Sequence, residues 1–498
     1  MNSYLIGIDI GTTGTKTILF SACGKRVGHA YCGYRLMTPG IGRSEQEAED
    51  WWNAVKKTVR EVTEKVPDPQ NVVAISLSLQ GGTFVPVDRQ GTPLRSAIVW
   101  NDKRCIKEMK QWKEQIGDKK DLYRTTGWPL GPSLPLMQIR NFRMHEKECF
   151  DLTEQFLTVP DFISYKMTGR AVTDISDAGI NQLYDIRKER YDETLLHFAG
   201  VREDQLPKVV PSGEVIENIT EEAAKEFGLS TKTVLIAGAH DQYAVAVGGG
   251  ALEAGDFCIG SGTAWVVTGL ANQPDFSHGL SQSRTAIPNL WGSIASLSTG
   301  GLCLEWLRDK VLSQNGEDPL SYEQLNREID KKQSAFDHLF FYPFSGKYGK
   351  ARGVGKGAFI GLDLSHGPFD LAAAVMEAIV FQTKWMLGDF KGDRVHDSVC
   401  LSGGASKSAV WSQMVADILG VPVRIPEIAD LACVGAAVIA GVGAGVYDNI
   451  REGYEQLKVP FRILTPDKER KERYEEAGLE YRRLAEKLGE AFIHEGDY

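Results

Sequence analysis

The chain has 498 residues, 42% hydrophobic and 24% charged, an ordinary globular composition that excludes disordered, collagenous and disulfide-scaffold classes. At roughly 100 to 200 residues per domain it should form two or three domains with ample cores. Lys plus Arg is 56 and Asp plus Glu is 66, a net charge of −10, so there is no general attraction to nucleic acid or to an anionic membrane, and any anion must be bound locally.

The first predicted element is a β-type run, Tyr4 to Asp9, reached with no basic leader and no small-residue cleavage site, which reads as a cytoplasmic protein. A turn of Gly11-Thr12-Thr13-Gly14-Thr15 leads to a second β-type run, Thr17 to Phe20. Glu45 to Val66 shows helical spacing through Trp52, Val55, Val59 and Val62, bounded by Pro67-Asp68-Pro69. Strand-like runs follow at 72–79 and 96–100. The opening hairpin then recurs about half a chain later: Asp256 to Ile259, Gly260-Ser261-Gly262-Thr263-Ala264, and Trp265 to Thr268. Such a repeat implies two similar lobes, with a boundary near 245–255.

The second half alternates as the first does. Val399 to Leu401 is strand-like, Ser408 to Leu419 helix-like and Val421 to Ile425 strand-like, a pattern of α/β architecture with covered sheets. Residues 431–447 carry no charge, but the run is rich in Gly and Ala and short of the about 20 residues a bilayer requires. It predicts a buried, closely packed helix. Asp467 to Glu490 is dense in charge, with Tyr474, Ala477, Tyr481, Leu484 and Leu488 at helical spacing, the pattern of a surface helix docked by one face.

Eight cysteines without a CxxC pair and nine histidines without HExxH give no zinc or disulfide framework. The absence of GxxxxGK[ST] excludes a P-loop, and that of GxSxG disfavours an α/β-hydrolase. What remains is a pair of Gly/Thr hairpin tips, each able to cradle phosphate on backbone N–H groups. Asp9 ends the strand before the first tip, where an acid is tolerable if Mg²⁺ intervenes.

Other candidates stand at the ends of apolar runs, where α/β folds place ligands. Asp241, in Ala239-His240-Asp241-Gln242, could accept a hydroxyl proton or simply cap the following helix. His240 is equally open to a structural reading. Trp100 could line a sugar face, while Asp102 and Arg104 could bind hydroxyls or pair with one another. Gln80 offers a donor and an acceptor to a polyol. Gly403-Gly404-Ala405-Ser406 forms a strand-to-helix turn that a base or ribose could approach.

Taken in order, these motifs resemble the FGGY family of carbohydrate kinases, within the actin/hexokinase/Hsp70-like ATPase superfamily. The matching segments are DIGTTGTK (Asp9 to Lys16), WNDKR (Trp100 to Arg104), TGRAVTD (Thr168 to Asp174), GAHDQ (Gly238 to Gln242), GSGTA (Gly260 to Ala264), the signature-like Gly357 to Glu377, and GGASKS (Gly403 to Ser408). The resemblance implies two actin-like, ribonuclease H-like lobes: 1–247 binding sugar and 248–498 binding ATP. It also implies ATP contacts at Gly11, Thr12, Thr13, Gly14, Thr15 and Lys16, at Gly260, Ser261, Gly262 and Thr263, and at Gly403, Gly404, Ala405 and Ser406. Gln80, Gly81, Trp100, Asp102, Arg104, Asp241 and Gln242 would meet a small-molecule sugar. Asp241 would be the general base and Asp9 the Mg²⁺ position; a homodimer stays open.

The layout looks most like the xylulose kinase branch, which implies a ketopentose, with another ketose, a polyol or a sugar acid as alternatives. That branch carries Gln-Met-His-Gly where this chain has Gln80-Gly81-Gly82-Thr83, and Pro135 and Gln138 stand where the N-terminal signature has Lys and Trp. A non-sugar ATPase of the superfamily would share both phosphate loops but not the sugar-side set of Gln80, Trp100, Asp102 and Asp241.

Overall fold

The computed structural model describes residues 3–492 apart from 113–114, 116–118, 314–318, 332–337, 346, 349–350, 353–355, 391–396 and 458. The chain opens with an antiparallel hairpin of β1 (Tyr4–Ile10) and β2 (Gly14–Ser21), followed by β3 (Arg26–Gly33). Helix α1 (Ala48–Thr63) is shorter than the spacing predicts, because Glu45–Gln46 pairs as a short strand with Ala97–Ile98. Glu49 and Asp50 in its first turn suit the helix dipole, and its buried stripe includes Trp51, Val55, Val59 and Val62. β4 (Val72–Leu79), β5 (Val215–Asn218), β6 (Val234–His240) and α2 (Asp241–Gly248) follow.

A second hairpin, β7 (Phe257–Ser261) with β8 (Trp265–Ala271), stands where the repeat predicts it. Then come α3 (Pro368–Leu387), β9 (Val399–Gly403), α4 (Ala409–Leu419) and β10 (Val423–Pro426). The uncharged run folds as α5 (Leu431–Gly443), and β11 (Phe461–Leu464) and α6 (Lys468–Phe492) close the chain.

These elements group into two compact units. The first comprises residues 1–253, 270–293 and 430–459; the second comprises 254–269, 294–429 and 460–498. In the first, six strands run in the order β5-β6-β4-β1-β2-β3, with β4 parallel to both β1 and β6. Strand alternation sorts β1 into two faces. Ile6, Ile8 and Ile10 join the core cluster that holds Trp51, Val55 and Val59 of α1. Gly7 lies on the other face, where a Cβ would come 1.9 Å from the Cys433 carbonyl oxygen of α5.

Helix α5 is buried from Leu431 to Gly441, as its composition predicts. Its small residues serve close approach: a Cβ on Gly435 would meet the Ala244 carbonyl oxygen at 1.9 Å, and one on Gly248 the Leu431 carbonyl oxygen at 2.1 Å. Among the described residues no helix is long and apolar enough to cross a membrane.

In the second unit β7 is flanked by antiparallel β8 and parallel β9; β10 runs parallel to β9 and antiparallel to β11. Tyr474, Ala477 and Tyr481 of α6 are buried, whereas Leu484 is only partly so, and the charged residues stay outside, as the spacing predicts.

Candidate active site

Asp9 falls on the α5-facing side of β1, and register places Lys16 and Ser78 beside it on the neighbouring strands. Ser78 Oγ donates to Asp9 Oδ1 at 3.0 Å. Lys16 Nζ pairs with Asp430 Oδ1 at 3.0 Å, and His29 Nε2 lies 3.1 Å from Asp430 Oδ2. Burial pushes the Asp9 carboxyl up to about 6; the charges of Asp241 and Asp430 add to the rise, while Lys16 and Ser78 oppose it.

The first hairpin tip is held through its carbonyls. Gly11 O accepts from the Tyr34 hydroxyl, Thr12 O from Gln46 Nε2 and Thr13 O from Tyr34 N. Carbonyls bonded from the protein side leave the tip's N–H groups as its means of meeting an anion. Thr12 Oγ1 donates to Gln80 Oε1 at 3.1 Å and accepts from Trp100 Nε1 at 3.0 Å. Gln80 Nε2 donates to Gln46 Oε1, which also accepts from Trp51 Nε1.

Gln80, 3% exposed, therefore spends both ends of its amide inside a network that braces the tip. Trp100 is 44% exposed. Of the two readings for Asp102 and Arg104, the structure shows the pairing. The fully buried Asp102 takes Arg104 Nε on Oδ1, and Arg104 Nη2 together with Ser44 N on Oδ2. Arg104 also reaches Glu45.

Asp241 opens α2, but its carboxylate is not the cap. His240 Nδ1 lies 3.3 Å from Gln242 N and acts as the N-cap acceptor, and it also lies 3.1 Å from Asp241 Oδ1. Burial depresses the His240 ring below its ordinary value, so the ring is neutral and the contact with Asp241 is not an ion pair. The Asp241 side chain is one-third exposed. Gly81 packs against the His240 ring and Asp177.

In the second unit one side chain joins two of the sequence motifs. Ser261, at the end of β7, accepts Ala405 N on Oγ at 3.0 Å and Gly404 N on its carbonyl at 2.6 Å, while its Oγ donates to Ser402 O. Gly403 has φ +91, and a Cβ there would lie 2.7 Å from Ser261 O, so this turn requires glycine. The turn of Gly403 to Ser406 is thus docked on the second tip. That tip leaves Gly262 and Thr263 exposed, and Ser406 Oγ donates to Gly403 O.

The sequence reading missed Ser78, Asp430, Gln46 and Asp177. Ser78 meets Asp9 through strand register and Asp430 meets Lys16 across a long separation, and no local pattern encodes either contact.

Comparison with known proteins now decides the class. Residues 4–248 match the N-terminal domain, and residues 257–444 the C-terminal domain, of the FGGY family of carbohydrate kinases. The chain belongs to that family.

This FGGY carbohydrate kinase is 27% identical to a gluconokinase of Bacillus subtilis, over 97% of this chain and 94% of the relative. It is 29% identical to a xylulose kinase of Bacillus subtilis over 91% of both chains. Its fold matches the ligand-bound xylulose kinase of Lactobacillus acidophilus with a TM-score of 0.89, at 23% identity, over 98% of this chain and 99% of the other. The reading of a non-sugar ATPase is thereby set aside.

Proposed function

We propose that this kinase transfers the γ-phosphoryl group of ATP to a hydroxyl of a ketopentose such as xylulose, with Asp241 as general base. The observation that carries the reading is the Asp241 carboxylate. It begins a helix whose capping is done by His240, so it remains partly exposed and without a structural duty as a cap. Asp241 would take the proton from the acceptor hydroxyl as the new oxygen–phosphorus bond forms. Phosphoryl transfer asks little else of a protein beyond positioning and charge stabilisation.

Each hairpin tip suits phosphate, and the turn docked on Ser261 suits the adenosine of ATP. The first unit is assigned the sugar and the first tip, and the second unit the second tip and the adenosine turn. Trp100, Gly81, Asp241 and Gln242 are assigned to the sugar. Gln80, Asp102 and Arg104 act from behind, by bracing the tip and the loop around Trp100.

A magnesium ion also fits. Asp9 and Asp241 repel one another, and a nearby cation would relieve that repulsion. Among the described residues no group of three or more His, Cys, Asp or Glu could cage a metal. Mg²⁺ is bound through one or two carboxylates and otherwise keeps waters and phosphate oxygens. Asp9 would hold it, and the ion would supply neutralisation of phosphate charge.

The xylulose kinase relatives support a ketopentose. The gluconokinase similarity favours a second reading, a sugar acid. Coupled ADP release across pentuloses, hexuloses, polyols and aldonates separates them. Asp241→Asn should lower kcat by about 10² to 10⁴ while sugar binding, read by tryptophan fluorescence, survives. Near-normal turnover in that variant would sink the assignment of the base.

A further inference from the structure

His240 ends β6 and directly precedes Asp241, the first residue of α2. Its ring is 5% exposed and held on several sides. The ring centroid lies 6.0 Å from that of Trp128 and 5.7 Å from that of Tyr243, and the His240 main-chain N–H donates to Ser176 Oγ at 2.9 Å. A Cβ built on Gly81 would lie 2.7 Å from His240 Cδ2, so the turn after β4 also presses on the ring. A ring packed in this way keeps its two nitrogens in place.

The N–H of Gln242 decides which of them carries the proton. It donates to Nδ1 at 3.3 Å, so Nδ1 presents its lone pair and the proton sits on Nε2. The far side of the ring agrees. A Cβ on Gly81 would lie 2.8 Å from Nε2 and 2.6 Å from Asp177 Oδ1, which puts the buried Asp177 carboxyl on the Nε2 side, and among the described residues neither of its oxygens has a partner. Burial keeps the ring neutral. Nδ1 therefore faces Asp241 Oδ1 at 3.1 Å as one acceptor against another. That contact is repulsive while Asp241 is a carboxylate and becomes a hydrogen bond once the carboxyl holds a proton.

We infer that His240 is a positioning residue of the phosphoryl transfer: its Nδ1 accepts a hydrogen bond from Asp241 after Asp241 has taken the proton of the sugar hydroxyl. This rests on the reading of Asp241 as general base. In the step, the hydroxyl O–H bond breaks and its oxygen bonds the γ-phosphorus, while the bond from that phosphorus to the ADP oxygen breaks. The proton stays on Asp241, shared toward Nδ1, and the ring remains neutral. The long contact from Gln242 N can give way, since a helix N-terminus can pass such an N–H to water. A contact that is unfavourable before the transfer and favourable after it raises turnover without strengthening sugar binding.

The test uses the full chain, Mg-ATP and the sugar turned over fastest in the ADP-release panel. His240→Ala should lower kcat by about 10-fold and leave KM for the sugar unchanged. His240→Asn should restore most of that loss, because its amide oxygen stands as many bonds from the main chain as Nδ1 does. His240→Ser, a good helix cap on a shorter stem, should be as slow as His240→Ala and replaces it if circular dichroism shows that chain unfolded. In an Asp241→Ala background, removing the ring should cost no further turnover.

An equal loss of kcat in both backgrounds, a raised KM with kcat unchanged, or an Asn variant no faster than the Ala variant overturns the proposal and leaves Asp241 as the base. Near-normal turnover in Asp241→Ala overturns the base and this proposal together.

Discussion

Glu377 of α3 is 6% exposed, and the Tyr474 hydroxyl of α6 donates to its Oε1 at 2.7 Å. Burial pushes this carboxyl up from its ordinary 4.5 to about 7, with the Tyr474 hydrogen bond opposing the rise. Because the folded value lies above the unfolded one, the folded state holds the proton more tightly. Its contribution to stability is complete below pH 4.5 and is lost as pH rises through 7. Glu377→Gln keeps an acceptor for Tyr474 but removes the titration. Relative to that variant, the wild type should lose about 3 kcal/mol between pH 4 and pH 8, read from urea midpoints. A difference that stays constant with pH would refute the assignment. At this scale the sequence exposed residues at strand ends, such as Asp9 and Asp241, because turn chemistry marks them. It did not expose Asp177 or Asp430, whose significance lies in what tertiary packing brings to them or withholds.

The uncharged α5 shows what glycine does within an element. A Cβ on Gly435 would sit 1.9 Å from the Ala244 carbonyl oxygen of α2, so Gly435→Ala must push two backbones apart. We expect it to destabilise the protein by about 2 to 3 kcal/mol, as overpacking does. Gly478 in α6 is the converse. Its nearest neighbours beyond the helix are Phe381 ring atoms at 3.6 Å, an ordinary contact. Gly478→Ala should therefore stabilise by about 1 kcal/mol through helix propensity. Equal effects of the two substitutions in denaturant titrations would contradict this account. Hairpins and apolar helices were legible in the sequence because period and turn residues encode them. The start of α1 was not, since Glu45–Gln46 is drawn into a strand by its partner Ala97–Ile98, a pairing that local pattern does not carry.

The path of the chain as a whole is the least local property. The hairpin repeat marks two similar beginnings, at Tyr4 and at Phe257, but gives no sign that residues 430–459 complete the first unit. In that unit α5 covers β1 on the face opposite α1 and packs against α2 through Gly248 and Gly435. A fragment ending at Glu253 retains α1 and its core but lacks this cover. The β1 face carrying Leu5 and Gly7 would then be exposed, together with the apolar side of α2. An exposed apolar face of that extent binds hydrophobic dyes and favours association. We therefore expect fragment 1–253 to bind such a dye, to unfold without a sharp urea transition and to aggregate, and the full chain to bind no dye and to unfold in a steep transition. Adding a peptide of residues 430–459 should restore part of the cooperativity. A monomeric fragment 1–253 with a single steep transition and no dye binding would show that the first unit closes its core without α5, and the role given to Gly7, Gly248 and Gly435 would fall with it.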